Sequence, residues 1–174
     1  MKRFSFLFTF FICSTLSIAQ KKDESLKIIW PEEYKWKIGS HQEDKTTDFM
    51  EIIPGKEDIN KWTMIGTMMS MKNVTSATSD MIVDMYTKSS KKESSKAKLT
   101  VLEKNDTAKN MWVIFKIETP NFPNDPKPES QLYYAIQGKS NLFINFVGIK
   151  EKTLSSDFVS KWTKIFQNSE LVYE

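Results

Sequence analysis

The order in which β-rich and helical stretches follow one another constrains this chain more than any single motif. Trp36-Lys37-Ile38-Gly39-Ser40 begins to alternate apolar and polar residues, and Phe49-Met50-Glu51-Ile52-Ile53 does the same until Pro54-Gly55 breaks it. A third strand follows over 62–71, rich in Met and Thr, with Gly66 weakening its interior. The period then changes. Ala77, Met81 and Met85 stand four apart, as do Ile82 and Tyr86, which predicts a helix starting near Thr75 or Ser76 with these residues on one face. That helix is expected to dissolve into 88–96, a solvated run of Lys, Ser and Glu with no apolar residue.

Runs at 99–102 and 111–117 are β-rich and are joined through the turn signal Asn105-Asp106. A second hairpin is expected from 131–137 and 142–149, which flank Gly138-Lys139-Ser140-Asn141. Along 142–149, Leu142, Ile144, Phe146 and Gly148 point one way and Phe143, Asn145, Val147 and Ile149 the other. Pro120, Pro123, Pro126 and Pro128 make a stiff loop between the two hairpins. The closing helix is capped by Ser155, with Asp157 at its positive end and Leu154 stapling onto Val159. Its apolar stripe is Phe158, Trp162, Ile165 and Phe166. Three strands, a helix, two strand pairs and a helix define an α+β domain, a single antiparallel sheet of about six to seven strands packed by two helices.

The N-terminus reads differently. Met1-Lys2-Arg3 is a cationic start, 4–18 is apolar and crowded with Phe, and Ser17-Ile18-Ala19 supplies the small residues a signal peptidase needs. The expectation is a signal peptide over 1–19, cleaved before Gln20, and an exported chain, periplasmic or secreted. Thr9, Ser14, Thr15 and Ser17 interrupt the apolar stretch, which falls short of the roughly 20 residues of a membrane-spanning helix. Ile12, ahead of Cys13, is too large for a lipoprotein cleavage site. Residues 20–35 then form a lead-in and 36–174 a single domain, with no integral membrane segment in the mature chain.

Cleavage also changes the chemistry. The formal charge of +3 includes Lys2 and Arg3, so +1 remains, and the single Cys of the chain leaves with the signal. A mature chain without thiols forms no disulfide and no cysteine metal site. His41, the one His, lies beside Glu43 and Asp44, where a base or a metal ligand could sit, but alone it reads as a solvated turn residue. No nucleophile elbow, His-Glu-x-x-His motif or Gly-rich phosphate loop is present.

Met64, Met68, Met69 and Met71 fall within eight residues, and Met81 and Met85 follow on the helix. Thioethers bind Cu(I), so these four are the candidate metal ligands. Methionine also fills irregular gaps between a sheet and a helix, and core packing is the simpler account. Lys88, Lys91, Lys92, Lys96 and Lys98 could touch an anionic surface, but without interleaved aromatics they argue against nucleic acid. Trp62, Trp112 and Trp162 belong to amphipathic elements, whereas Trp30 and Trp36 are freer to stack on a ligand such as a sugar. No catalytic, cofactor-binding or metal set is assigned. The functional expectation is a non-catalytic binding or accessory protein, its partner an unidentified protein, envelope component or small molecule. The alternatives are a hydrolase using carboxylates such as Glu51, Asp84 or Glu118, and a methionine-based copper protein.

The segment Phe49-Met50-Glu51-Ile52-Ile53-Pro54-Gly55-Lys56-Glu57-Asp58-Ile59-Asn60-Lys61-Trp62-Thr63 resembles a pattern in poorly characterised exported bacterial proteins. There a strand ending in Ile-Pro is followed by Glu, Trp-Thr and another strand. Gly138, the strand at 142–147 and a closing helix with Trp162 are similar too, so the resemblance spans roughly 36–172. In topology it resembles PsbP-like domains. That resemblance implies a non-enzymatic scaffold with an antiparallel sheet between helices, and it transfers no catalytic or ligand residue.

Overall fold

The computed structural model describes residues 24–123 and 127–173, so the signal peptide expected over 1–19 and Pro126 lie outside the described residues. In chain order the elements are β1 (Glu24–Lys27), a 3-10 turn (Glu32–Tyr34), β2 (Lys37–Glu43), β3 (Thr47–Ile53), β4 (Met64–Lys72) and α1 (Ser79–Glu93). Then come β5 (Lys98–Asn105), β6 (Trp112–Thr119), β7 (Glu129–Gln137), β8 (Asn141–Ile149), α2 (Ser156–Gln167) and β9 (Glu170–Tyr173). The fold is α+β. Seven strands form one antiparallel sheet in the order β2-β3-β4-β8-β7-β6-β5, and β1 pairs with β9 in a separate two-stranded ribbon.

The alternation along β8 explains why the sheet is covered on both sides. Leu142 and Ile144 join Val113, Phe115, Tyr133 and Ile82 of α1 in one apolar cluster, while Phe143 and Val147 join Ile114, Tyr134 and the α2 residues Trp162 and Phe166 in another. Each β8 side chain is therefore committed to a layer by its parity. On α2 the Ser155 hydroxyl accepts the Phe158 N–H, satisfying one of the helix's open amides. Trp162 and Phe166, four apart, are completely buried.

Helix α1 departs from expectation in three ways. It starts at Ser79, capped by the Thr78 hydroxyl, which accepts the Met81 N–H. It also continues through the Lys-Ser run to Glu93. Lys91 and Lys92 sit in the last turn, where cations complement the helix dipole, and the Ser94 hydroxyl donates to the Asn121 carbonyl. Finally, Met81 and Met85 are 62% and 45% exposed, so they do not share the inner face with Ile82. The buried companions of Ile82 include Ser79 and Ser90.

The lead-in is integrated into the fold. The Glu24 carboxylate accepts the backbone N–H groups of Lys139, Ser140 and Asn141 at 2.7, 2.9 and 3.0 Å, and the Ser140 hydroxyl at 3.1 Å. Burial would raise its pKa, but these bonds hold it below the ordinary 4.5. Glu24 thus clamps the first strand to the β7–β8 turn. Gly138 leaves room for it, because a Cβ would come within 2.5 Å of that carboxylate and displace it from these bonds. Among the described residues, no helix is long and apolar enough to cross a membrane.

Candidate functional site

Two separate covers close the sheet face that carries Phe143 and Val147. Helix α2 lays Phe166 parallel to Tyr134, with ring centroids 5.8 Å apart. The segment after β1 lays Trp30 on Gly66, where an added Cβ would sit 2.6 Å from the indole. Gly66, which weakens β4 as a strand residue, is thus the seat of a tryptophan. The covers meet through Trp30, 5.3 Å from Trp36 and 5.5 Å from Trp162 between ring centroids. Contrary to expectation, Trp30 and Trp36 are partly buried and packed on the α2 cluster.

Beside this junction the sheet face opens into a cleft of about 400 Å³ between β1 and strands β3, β4 and β8. Leu26, Met50, Met68 and Phe143 give it apolar walls, and Glu43, Asp48 and Lys72 stand among its polar residues. These charges are already paired. Lys72 Nζ donates to Glu43 Oε1 at 2.6 Å, and His41 Nε2 meets Asp48 Oδ1 at 2.8 Å. Their mutual hydrogen bond lowers the Glu43 pKa and raises that of Lys72.

Asn145 is the exception. It lines the cleft from β8, only 2% exposed, and its Nδ2 has no hydrogen-bond partner. A buried amide without an acceptor costs about 1 to 3 kcal/mol, so an orphan beside a cleft marks a place where a ligand's acceptor would be rewarded. Among the described residues the other buried side-chain orphans are Thr67 Oγ1 on the opposite face and the indole nitrogens of Trp30, Trp36 and Trp162.

The α1 face carries a smaller hollow of about 230 Å³, bordered by Tyr86, Glu93, Phe122 and Tyr133. Three of its polar groups are linked to one another and to Lys150. Tyr133 donates to Gln131 at 2.6 Å, Gln131 to Glu129 at 2.6 Å, and Lys150 to Glu129 at 2.7 Å. Burial pushes Tyr86 up to about 12, so it stays protonated and has no readily available phenolate. Nearby on β3, Glu51 is raised by its own burial and then by Glu129.

The residues singled out by sequence are dispersed. Met64 and Met68 lie on the α2 side of β4, because they face Ile149 and Asn145, whereas Met69 and Met71 face Ile144 and Leu142 on the α1 side. The four thioethers therefore do not converge. His41 is on β2, paired with Met50 across the ladder. Glu51 points to the α1 side, opposite Thr67, and Glu118 to the α2 side, where it pairs with Lys116 at 2.9 Å and accepts the Leu154 N–H. Asp84 is exposed on α1, bound to Lys88 at 2.6 Å. The three carboxylates do not form a pair. Among the described residues, no three His, Cys, Asp or Glu side chains converge as a metal site.

Sequence reasoning left Glu24, Met50 and Asn145 without roles. The one available signal was Asn145, a polar residue at an otherwise apolar position of the 142–149 alternation. Comparison with known proteins adds no family to this geometry: no protein-family model matches the chain, and no curated protein matches it significantly.

Proposed function

We propose that this chain is an exported, non-catalytic binding module whose ligand seats in the cleft between β1 and the sheet. The observation that carries the reading is the orphaned Asn145 amide at the edge of a half-apolar cavity, a combination of shape and unmet hydrogen bonding typical of small-molecule sites. The ligand class it fits is a small molecule with an apolar body, set against Met50, Met68 and Phe143, and an acceptor for Asn145. Export is supported by the cationic start, apolar stretch and small residues of 1–19, and a periplasmic or secreted location follows from it. The PsbP-like reading is compatible with a mainly antiparallel sheet packed by helices, and it is that resemblance which implies a scaffold rather than an enzyme.

The test is an amide-resolved NMR titration with small carbonyl-bearing fragments. The expected result is a set of shifts at Leu26, Ser70 and Asn73 together with the Asn145 side-chain amide, lost in Asn145→Leu. Shifts confined to Tyr86, Glu93 and Tyr133, or no shifts at all, overturn the reading.

A further inference from the structure

A cross-strand row that the sequence does not display runs from β2 into the wall of the cleft. His41 of β2 lies directly opposite Met50 of β3, and Met50 directly opposite Met68 of β4. Directly opposed residues share a sheet face, with Cβ atoms about 4.5 to 5.5 Å apart, so each side chain in such a row reaches the next and Met50 stands between the other two. Both thioethers line the cleft and both side chains are half-buried.

His41 is held from behind. Its Nε2 is hydrogen-bonded to Asp48 Oδ1 at 2.8 Å, which leaves Nδ1 as the nitrogen able to ligate. A carboxylate bonded to the far nitrogen of an imidazole is the arrangement that orients histidine ligands at metal centres. Two thioethers and an imidazole form a soft donor set suited to Cu(I), whereas Ca²⁺ and Mg²⁺ require several oxygens.

We infer that Met50, Met68 and His41 form a Cu(I) site on the wall of this cleft, with Asp48 as the positioning residue for His41. The inference goes beyond the small-molecule reading of the cleft: it adds on the same wall a site for a different ligand, a soft monovalent cation, and rests on that reading only for the cleft being a binding surface. The other methionines serve as internal controls. Met69 and Met71 pack on the opposite face, and Met81 and Met85 are exposed four apart on α1 without a histidine.

The purified protein is titrated anaerobically with Cu(I) against a chromophoric chelator, and with Ag(I) as a redox-inert probe read by the NMR shifts of labelled methionine methyls. The expected result is one equivalent bound with sub-micromolar affinity, with Met50 and Met68 methyls shifting and the others still. Met50→Leu, Met68→Leu and His41→Gln are each expected to weaken binding by about tenfold or more, and Asp48→Asn by about tenfold. Met69→Leu with Met71→Leu, and Met81→Leu with Met85→Leu, are expected to leave it unchanged. Thermal melts confirm that each variant folds.

Binding no tighter than micromolar, or binding that survives the Met50→Leu, Met68→Leu double variant, overturns the site. Fragment shifts in the cleft without Cu(I) binding remove the metal inference and keep the binding reading. The absence of both removes both.

Discussion

The two faces of the central sheet are covered by different means, and the difference accounts for the cleft. On one face the cover is local: α1 follows β4 directly and sets Ile82 among Phe115, Tyr133 and Ile144, with Tyr86 4.8 Å from Tyr133 between ring centroids. On the other, the cover is assembled from both ends of the chain, α2 near the C-terminus and the Trp30 segment near the start of the described residues. A single helix seats as one body. Two pieces that meet through Trp30, Trp36 and Trp162 leave a seam beside them, and there Asn145 keeps an unpartnered amide.

This contrast predicts unequal sensitivity. Trp162→Ala, which empties the junction of the two covers, is expected to cost about 4 kcal/mol, and Ile82→Ala on the locally covered face about 3 kcal/mol, both read by chemical denaturation. Equal or inverted losses would break the distinction.

The clamp at Glu24 sharpens it further. Glu24→Ala leaves the N–H groups of Lys139, Ser140 and Asn141 without their carboxylate and is expected to cost about 2 kcal/mol, with NMR changes at β1, the β7–β8 turn and β9 but not at α1. Because the folded pKa of Glu24 lies below its ordinary 4.5, its contribution is present above that value and lost as pH falls through the depressed one. The acid limb of the stability profile is therefore expected to be shallower in Glu24→Ala. A limb unchanged from the parent would assign acid sensitivity elsewhere.

The smallest effect is expected on the α1 side. Burial first, and Glu129 second, raise the Glu51 carboxyl above 4.5, so its folded form is favoured below the ordinary value and disfavoured as pH rises through the raised one. Glu51→Gln is expected to raise Tm at neutral pH and to leave it unchanged in acid. A lowered Tm at neutral pH would show that the Glu51 charge is needed there.

What the sequence made legible follows from how local each signal is. The Ser155 cap and the α2 stripe are read within one helix, and the β8 alternation within one strand, so all three match the structure. The inner face of α1 was not legible because two four-residue spacings overlap there. Met81 with Met85 and Ile82 with Tyr86 are rotated by one residue, about 100°, and the buried Ser79 and Ser90 weaken the apolar signal on the true inner face.

The β1–β9 ribbon was hidden for another reason. Each partner has four residues, Glu24 pairs with Tyr173, and nothing local to either end announces the other. The row His41–Met50–Met68 required the register of three strands, and Asn145 joins it only through the pairing of β4 with β8, on opposite sides of α1 in sequence. The candidate site is therefore a product of register, whereas the elements that carry it are products of pattern.

The pairing of β1 with β9 also sets an order in time. Helix α1 and strands β5 and β6 can meet early, since they are neighbours in sequence. Strand β1 must wait for β9 before its ladder can form, and the seam over Asn145 gains its β1 wall late. In sequence order, the residues of the α1 face are complete by β8, whereas the face with the tryptophans still awaits α2. A premature stop before α2 would leave the chain in that half-closed state, its aromatic face available to chaperones or to other unfinished copies.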